Sequence, residues 1–287
     1  MRKQTGGVGL GLRWEFLDEF LERRPVNVDF LEVSPENYMR RGGAIPAALS
    51  RVRETHPVIT HGLTMSLGGT EPFEEGYMRE LRDFVRSVES PWHSDHLCFG
   101  VAQGRVLHDL LPLAFTKEAV RRVADRVRRA TDMVGVPIAV ENISFYVHPG
   151  AREMSEPEFL SRVCEAADCS LMLDVNNAYV NSKNFGFDVD EWMANAPLSR
   201  TVQIHVAGHQ TFDESDFVPG SSHNSLILDT HGAPVCDPVF ELLERVLPKT
   251  GPVPVILERD LNIPSLDDLL AEVDALHAVY ARAIPLR

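Results

Sequence analysis

The stretch LMLDVNNAYVNSKNFGFD (171–188) runs from a short apolar segment straight into a carboxylate, Asp174. Three asparagines, Asn176, Asn177 and Asn181, follow it, with few side chains that could pack in a core. A buried strand seldom ends on a charged group unless that charge has a partner. The stretch therefore indicates a strand that ends on a functional carboxylate, whose partner has to be found elsewhere in the chain.

Short apolar, β-branched runs of this kind alternate with longer segments of helical spacing along the whole chain. Several helical segments begin just after Ser, Thr or Asp, as N-capping predicts. Eight strand–helix pairs in alternation predict a parallel sheet, and eight that close on themselves predict a TIM barrel. The eight runs are GVGLGL (7–12), VDFLEV (28–33), PVITHG (57–62), WHSDHL (92–97), PIAVEN (137–142), SLMLDV (170–175), VQIHVAG (202–208) and VPVILER (253–259).

The fold class that we predict is a single (β/α)8 TIM barrel that spans residues 1–287 as one catalytic domain. A chain of 287 residues exceeds the usual size of one domain, but α/β barrels routinely reach this length. An open, doubly wound sheet is the alternative. That fold would favour a GxGxxG phosphate turn after the first strand, and GVGLGLRWEF (7–16) lacks this spacing.

Composition and charge disfavour several classes of partner. The chain has 42 acidic and 28 basic side chains, giving a formal charge of -14 that repels phosphate backbones and anionic membrane surfaces. No apolar run reaches the ~18 residues of a membrane span, and the N-terminus turns polar too early for a signal peptide. The four cysteines form no CxxC pair, as is usual for buried thiols in a reduced compartment. We therefore expect a cytoplasmic protein that binds neither nucleic acid nor membrane.

Histidines and carboxylates occur where the predicted strands end. In a TIM barrel the carboxyl ends of the strands meet on one face, where active sites are built. Several carboxylates packed there would repel one another and raise each other's pKa unless cations lay among them. The strand ends contribute His61, His96, Glu141, Asp174, His205 and Glu258, while Glu36 and Asn37 follow the second run and Asp229 and His231 lie in the seventh connection.

Each of these residues alone has a simpler explanation, because a lone His after a strand is usually just hydrogen-bonded and a lone Asp is usually a helix N-cap. Together they favour metal ions as the partners of Asp174. Asp229 and His231 support this interpretation, since residues two apart in extended backbone project on the same side. A ligand set of nitrogen and oxygen suits iron, manganese or zinc and does not distinguish among them.

The connection 209–235 is long for this fold and rich in Ser, Gly and Asp. Long connections in compact domains are often functional, so this one is a candidate lid over the barrel mouth. His209 and His223 lie in or beside it and are further candidates for a direct role.

Eight motifs, in order along the chain, resemble those of the multinuclear non-heme iron-dependent oxidases. These are TIM-barrel enzymes that modify cysteines of ribosomally made peptides, and they include the oxidase of methanobactin biosynthesis and the enzyme of the 3-thiaglutamate pathway. The resemblance covers nearly the whole chain. The motifs are SPENYM (34–39), THGLTMSLGG (60–69), SDHLCFG (94–100), VENISFY (140–146), LDVNNAYVNSKNFGFD (173–188), QIHVAGH (203–209), DTHGAPV (229–235) and LERDLNIP (257–264).

The resemblance implies two or three irons in a mixed Fe(II)/Fe(III) state, with dioxygen as co-substrate. In such enzymes the sulfur of a peptide cysteine binds one iron, dioxygen is activated at the ferrous iron, and hydrogen is taken from the cysteine β-carbon. A partner protein usually presents the leader of the cysteine-containing precursor peptide. The implied metal ligands are His61, His96, Glu141, Asp174, Asn177, His205, Asp229, His231 and Glu258, and the candidate catalytic residues are Asp174, Asn177 and His209.

Asn177 departs from the pattern of the methanobactin-type oxidase, which carries a histidine three residues after the aspartate of the sixth strand. An amide oxygen is a weaker, neutral ligand than an imidazole. We therefore expect a third iron to be held less firmly than the other two.

Two other interpretations stay open at this stage. The xylose-isomerase and endonuclease IV groups also place His, Asp and Glu at strand ends, but the isomerases normally add a lysine near the metals, and none of the predicted strands ends on lysine. An endonuclease would need a basic rim, which a charge of -14 disfavours. A barrel that only stores or senses metal and docks a partner is the non-enzymatic alternative.

Overall fold

Eight parallel strands close into a barrel, and two antiparallel hairpins lie outside it. The computed structural model describes residues 6–102, 104–148, 150–213 and 225–284. In chain order, the strands of this part are β1 (Val8–Gly11), β2 (Phe30–Val33), β3 (Val58–Gly62), β4 (His93–His96), β5 (Phe99–Ala102), β6 (Arg105–Leu111), β7 (Ile138–Glu141), β8 (Ser170–Asp174), β9 (Thr201–Ala207), β10 (Gln210–Asp213), β11 (Ser225–Leu228) and β12 (Val255–Glu258).

The barrel confirms the predicted fold class. Its strands are β1, β2, β3, β4, β7, β8, β9 and β12, each paired with the next along the chain, and β12 returns to pair with β1. Every barrel strand lies within one residue of a predicted apolar run. The sequence pattern therefore identified the barrel strands and their order.

Helices connect the barrel strands, as parallel neighbours require. Several begin at the predicted type of cap: Ser155 accepts a hydrogen bond from the backbone of Glu158, for example. None of the helices in the described part of the chain is long and apolar enough to cross a bilayer. They are α1 (Trp14–Arg23), α2 (Ala44–Arg53), α3 (Glu75–Val88), α4 (Lys117–Val134), α5 (Glu156–Ala167), α6 (Val175–Phe185), α7 (Val189–Asn195), α8 (Asp237–Thr250) and α9 (Leu266–Ala283).

An apolar layer inside the barrel lies next to a polar one. Phe30, Ile59 and Ile256 are fully buried and form a small cluster of their own, against which Trp92 packs. Side chains two apart on a strand point to the same side, so the residues two positions further along these strands share the face of the apolar layer. Those residues are Glu32, His61 and Glu258.

The two hairpins were not predicted from the sequence. β5 pairs with β6 after the fourth barrel strand, and β10 pairs with β11 after the seventh. The long connection 209–235 therefore contains regular structure where the sequence suggested an irregular loop. Three of the four hairpin strands, β5, β10 and β11, have only four residues, and so short an alternation is hard to recognise beside Gly- and Ser-rich neighbours. Residues 214–224, which include His223 and the centre of the candidate lid, lie outside the described residues.

Gly208, which follows β9, lets the segment after His231 approach the barrel closely. A Cβ at this position would lie 1.9 Å from the carbonyl oxygen of Ala233, a backbone atom that cannot move without its segment. We expect Gly208→Ala to lower the free energy of unfolding by about 1–3 kcal/mol, as overpacking does. Gly42→Ala is the matched control, because nothing lies within 4 Å of a Cβ there. Equal melting temperatures for the two variants would contradict this account.

Candidate metal centre

The strand-end residues converge into overlapping groups at the mouth of the barrel. Within each group, ligand atoms lie within 4.8 Å of one another. Several residues belong to two groups, so the arrangement fits a cluster of neighbouring ions better than a single one. The groups are His61–His96–Glu141, Glu141–Asp174–His205, Asp174–His231–Glu258 and Glu32–His61–His205.

Glu141, at the end of β7, joins the first two groups. Its Oε2 lies 3.3 Å from Nε2 of His61 and 3.3 Å from Nε2 of His96. This oxygen is buried and has no hydrogen-bond partner in the described part of the chain. Burial raises the pKa of Glu141 well above its usual value. A cation between these three groups would satisfy the oxygen and remove the reason for its protonation.

The two oxygens of Asp174, the residue that ends β8, differ in their contacts. Oδ1 accepts a hydrogen bond of 2.6 Å from the backbone N–H of Asn177 and so caps α6. Oδ2 is buried without a hydrogen-bond partner among the described residues. Burial, and then the charge of Asp229, raise the pKa of Asp174 to about 7. The helix-cap explanation is thus correct for one oxygen and leaves the other free for a cation.

His205 lies between two carboxylates, one on each side of its ring. Nδ1 is 3.0 Å from Oε2 of Glu258, and Nε2 is 3.0 Å from Oε2 of Glu32. Burial alone would lower the pKa of His205, but the charges of Glu258 and Glu32 outweigh it and raise the pKa well above its usual value.

Glu258 does not follow the expectation that clustered carboxylates have raised pKa values. Burial would raise the pKa of Glu258, but the neighbouring rings of His205 and His231 lower it overall. Glu141 also lies beside imidazoles, those of His61 and His96, but burial lowers the pKa of both rings, and the pKa of Glu141 is raised. The sign of a carboxylate's pKa shift in this site therefore depends on the balance between burial and the charge of its neighbours.

Asp229 and His231 contact each other, as their spacing suggested. Oδ1 of Asp229 lies 2.8 Å from Nε2 of His231, although His231 has a left-handed φ of 48° and is not extended. Nδ1 of His231 lies 3.1 Å from Asp260, which in turn accepts a hydrogen bond of 2.9 Å from Arg13. Asp260 therefore fixes the ring of His231 through Nδ1, and Nε2 points toward Asp229.

Asn177 and His209 occupy different positions relative to the cluster. The amide nitrogen of Asn177 donates to the carbonyl of Asn142 at 3.1 Å, and its Oδ1 is buried without a described hydrogen-bond partner. His209 lies outside the four groups and bonds Oδ1 of Asn176 through Nδ1 at 2.7 Å. Asn176 then donates to Asp229 at 2.7 Å. Among the described residues, the hydrogen bonds of His209 lead to the cluster through Asn176.

The sequence pattern does not single out Glu32, which lies in one of the four groups. It predicts Glu36 at the mouth as a candidate, but Glu36 belongs to none of them in the described part of the chain. Glu32 is buried inside β2, within a run that was interpreted as apolar core. Its only sequence signal is its position two residues after Phe30. Oε1 of Glu36 accepts hydrogen bonds from the backbone of Leu63 and the hydroxyl of Tyr77. It organises the loops around the mouth.

A cavity of about 870 Å³ opens above the cluster, and His61, His96, His231 and Glu258 form part of its wall. Its outer part is apolar and exposed, unlike the cluster below. We call this part the apolar collar. The residues of the apolar collar are Leu63, Leu110, Leu111, Tyr146 and Val147.

The side chains present fit a metal cluster on chemical grounds. Buried polar atoms without hydrogen bonds are rare because each is costly to desolvate. The described residues at the mouth carry several such atoms, and all of these are nitrogen or oxygen donors that suit iron, manganese or zinc. Those atoms are Glu141 Oε2, Asp174 Oδ2, Asn177 Oδ1, His96 Nδ1, His205 Nδ1 and His231 Nε2.

In protein stripped of metal, Asp174 should destabilise the fold at neutral and alkaline pH. Its folded pKa is about 7, against 3.8 as the ordinary value, so its contribution to stability is present in acid and lost as the pH rises through 7. We expect metal-free Asp174→Asn, which keeps a capping side chain, to be more stable than the parent at pH 8 by on the order of 2–4 kcal/mol.

This difference between Asp174→Asn and the parent should disappear near pH 4, where both side chains are neutral. Chemical denaturation of the metal-free proteins across pH 4–8 measures it. Asp132→Asn, on an exposed position of α4, is the control and should show no such dependence. A metal-free Asp174→Asn protein that is less stable than the parent at pH 8 would mean that the carboxylate itself holds the fold.

Curated relatives match this chain along almost its full length. A UPF0276 protein of Shewanella loihica is 42% identical over 277 residues, which cover 96% of this chain and 95% of that protein. A UPF0276 protein of Pseudomonas aeruginosa is 42% identical over 283 residues, covering 98% and 95%. One of Caulobacter vibrioides is 41% identical over 275 residues, covering 96% and 94%. These names state no activity.

Solved structures with this fold are far more distant in sequence. A xylose isomerase-like TIM barrel protein from Mycobacterium smegmatis, in complex with magnesium, gives a TM-score of 0.61 at 12% identity and covers 98% of both chains. Endonuclease IV from Thermus thermophilus gives a TM-score of 0.57 at 17% identity, covering 95% of this chain and 98% of its own. At such identities the likeness shows the shared barrel fold alone.

A family model matches the chain from before β1 into α9. It describes the RiPP precursor modification enzymes MbnB/TglH/ChrH, and the match covers residues 7–281. That range contains all eight barrel strands and every member of the four groups at the mouth. The resemblance drawn from the sequence motifs is confirmed: the chain belongs to the MbnB/TglH/ChrH family of enzymes that modify ribosomally made precursor peptides.

Proposed function

We propose that this protein is a multinuclear, iron- and dioxygen-dependent oxidase that modifies a cysteine of a precursor peptide. The observation that carries the proposal is the sharing of Glu141 and Asp174 between adjacent groups of ligands. Shared carboxylates are suited to holding two cations side by side, because each offers two oxygens. The family to which the chain belongs supplies the peptide as the class of substrate.

The residues that would hold metal form three groups, of which the third would bind its ion less tightly than the first two. The first is His61, His96 and Glu141, and the second is Glu141, Asp174 and His205. The third is Asp174, His231 and Glu258, with Asp229 beside His231 and with Asn177 as a neutral amide donor. Iron bound there would supply redox chemistry with dioxygen and an affinity for a thiolate sulfur. The chain's own groups supply negative charge, fixed positions and a pocket.

The apolar collar supports a substrate that enters as a peptide segment. Leu63, Tyr146 and Val147 are each more than 40% exposed and line the same cavity, and grouped exposed apolar side chains often mark a binding site. Peptide bound against the apolar collar would cover these side chains and exclude bulk water from the reacting cysteine. The cavity of about 870 Å³ is large enough for several residues of an extended chain.

The competing metal-enzyme interpretation lacks its characteristic residue. A sugar isomerase of the xylose-isomerase type would place a lysine near the metals. Among the described residues, no lysine lines the cavity above the cluster, and Arg13 is the cationic side chain that does besides the histidines. Arg13 is bound to Asp260. A partner protein that presents the peptide leader remains part of the proposal, on the family resemblance alone.

Iron content tests the metal assignment. Protein purified without oxygen and reconstituted with ferrous iron should hold about two to three irons per chain, the number that such a ligand set supports. His61→Ala should lose at least one of them. His277→Ala is the matched control, because His277 lies on the outer helix α9 and its imidazole bonds the carbonyl of Asn27. Elemental analysis and Mössbauer spectroscopy measure both, and a preparation that takes up only zinc or a single ion contradicts the assignment.

The substrate cysteine provides the second test of the proposed function. Adding a cognate cysteine peptide without oxygen should change the Mössbauer spectrum of the iron, and later admission of oxygen should lead to its uptake. The same peptide with serine in place of cysteine should do neither. The assay is run with and without any protein encoded beside the gene that binds the peptide leader. Equal oxygen uptake with the serine peptide would show that the thiol is not required and that the protein is not a cysteine oxidase.

A further inference from the structure

Glu32 is a buried carboxylate that lies next to the cluster and differs from its other carboxylates in its contacts. It is 3% exposed and projects from β2, two residues after Phe30 of the apolar layer. Its Oε2 receives contacts from Nε2 of Gln203 and, at 3.0 Å, from Nε2 of His205. Unlike Oε2 of Glu141 and Oδ2 of Asp174, this oxygen is already hydrogen-bonded within the protein.

Trp92 sets the orientation of Gln203. Its indole Nε1 donates to Oε1 of Gln203 at 2.8 Å. An indole N–H can only donate, so the amide oxygen must face Trp92 and the amide nitrogen must face Glu32. Trp92 itself packs against the apolar layer. Gln203 therefore connects Glu32 to Trp92, which is packed in the barrel interior.

The two ring nitrogens of His205 point in opposite directions, one toward the cluster and one toward Glu32. Nδ1 faces the cluster, 3.0 Å from Glu258 and 3.9 Å from Glu141, and it has no hydrogen bond among the described residues. Nε2 faces Glu32. A neutral imidazole that binds a cation through Nδ1 carries its proton on Nε2, and Oε2 of Glu32 is the acceptor within reach of that proton.

We propose that Glu32 is a positioning residue: it accepts the Nε2–H of His205, is itself held by Gln203 and Trp92, and so directs Nδ1 of His205 to the metal. The inference rests on the metal centre of the proposed function, but not on the identity of its substrate. A carboxylate behind a ligating imidazole fixes the ring's tautomer and angle and increases its basicity, and loss of such a partner typically weakens metal binding about 10–100-fold.

The test measures iron affinity in the full-length protein, with graded chelator as competitor and Mössbauer spectroscopy as the second readout. Glu32→Gln removes the negative charge and keeps an acceptor. We expect it to bind the full number of irons at saturating ferrous iron, but with one ion released at about 10–100-fold lower chelator concentration. Glu32→Leu, which removes the acceptor, should release that ion more readily still.

Two further variants keep the test decisive. Trp92→Phe removes only the indole donor and should weaken the same ion in the same direction, by a smaller factor. Glu156→Gln is the matched control: Glu156 is also buried and bound by an indole, that of Trp192 at 3.0 Å, but it lies outside the four groups. It should leave iron affinity unchanged.

The outcomes separate positioning from ligation and from a purely structural role. If Glu32→Gln binds one iron fewer even at saturation, Glu32 is a ligand and the proposal is wrong. If Glu32→Gln and Trp92→Phe both hold iron as firmly as the parent, Glu32 is structural and the proposal is equally wrong. A protein that binds iron as described but oxidises no peptide would overturn the proposed function and leave this inference standing.

Discussion

The burial of many imidazoles and carboxylates around one barrel mouth is the constraint on which the rest of this structure depends. Ionised groups without water or partners are strongly destabilising. In metal-free protein, protonation meets part of this constraint, because burial raises the pKa values of Glu141 and Asp174, and neighbouring carboxylates raise those of His205 and His231. Cations bound there would replace those protons and give the unpaired oxygens partners. Metal binding would then be coupled to stability at this site.

The barrel makes such a concentration of charge possible by separating it from the core. Phe30, Ile59 and Ile256 fill one interior layer, and the polar residues of the same strands fill the next. The strands hold these side chains at fixed spacing because their pairing register is closed all round. A loop would not hold as many like charges together, since it would relax away from them. The residues behind the cluster, including Glu32, Ser94 and Asp260, then orient the rings from outside.

The region around the mouth carries the information about substrate. The family works on ribosomally made peptides, and the apolar collar surrounds a polar cluster, so an entering segment meets hydrocarbon before it meets charge. Distant barrels such as endonuclease IV share the fold at only 17% identity. Function in this architecture is decided by the loops and strand ends. The hairpin of β5 and β6, which contributes Leu110 and Leu111 to the apolar collar, is one such addition to the barrel.

The sequence by itself determined the barrel and the residue types at its mouth. Apolar runs and helical spacing are local patterns, and all eight barrel strands follow from them; the strand-end His, Asp and Glu residues are read in the same way. Only the tertiary structure decided which of these residues lie close enough to share a cation, because that depends on distances across the closed barrel. It placed Glu32 beside His205, since a strand pattern does not tell which alternate residues face the interior. It also gave the two oxygens of Asp174 different roles and reversed the expected pKa shift of Glu258, because both depend on neighbours that are remote in sequence.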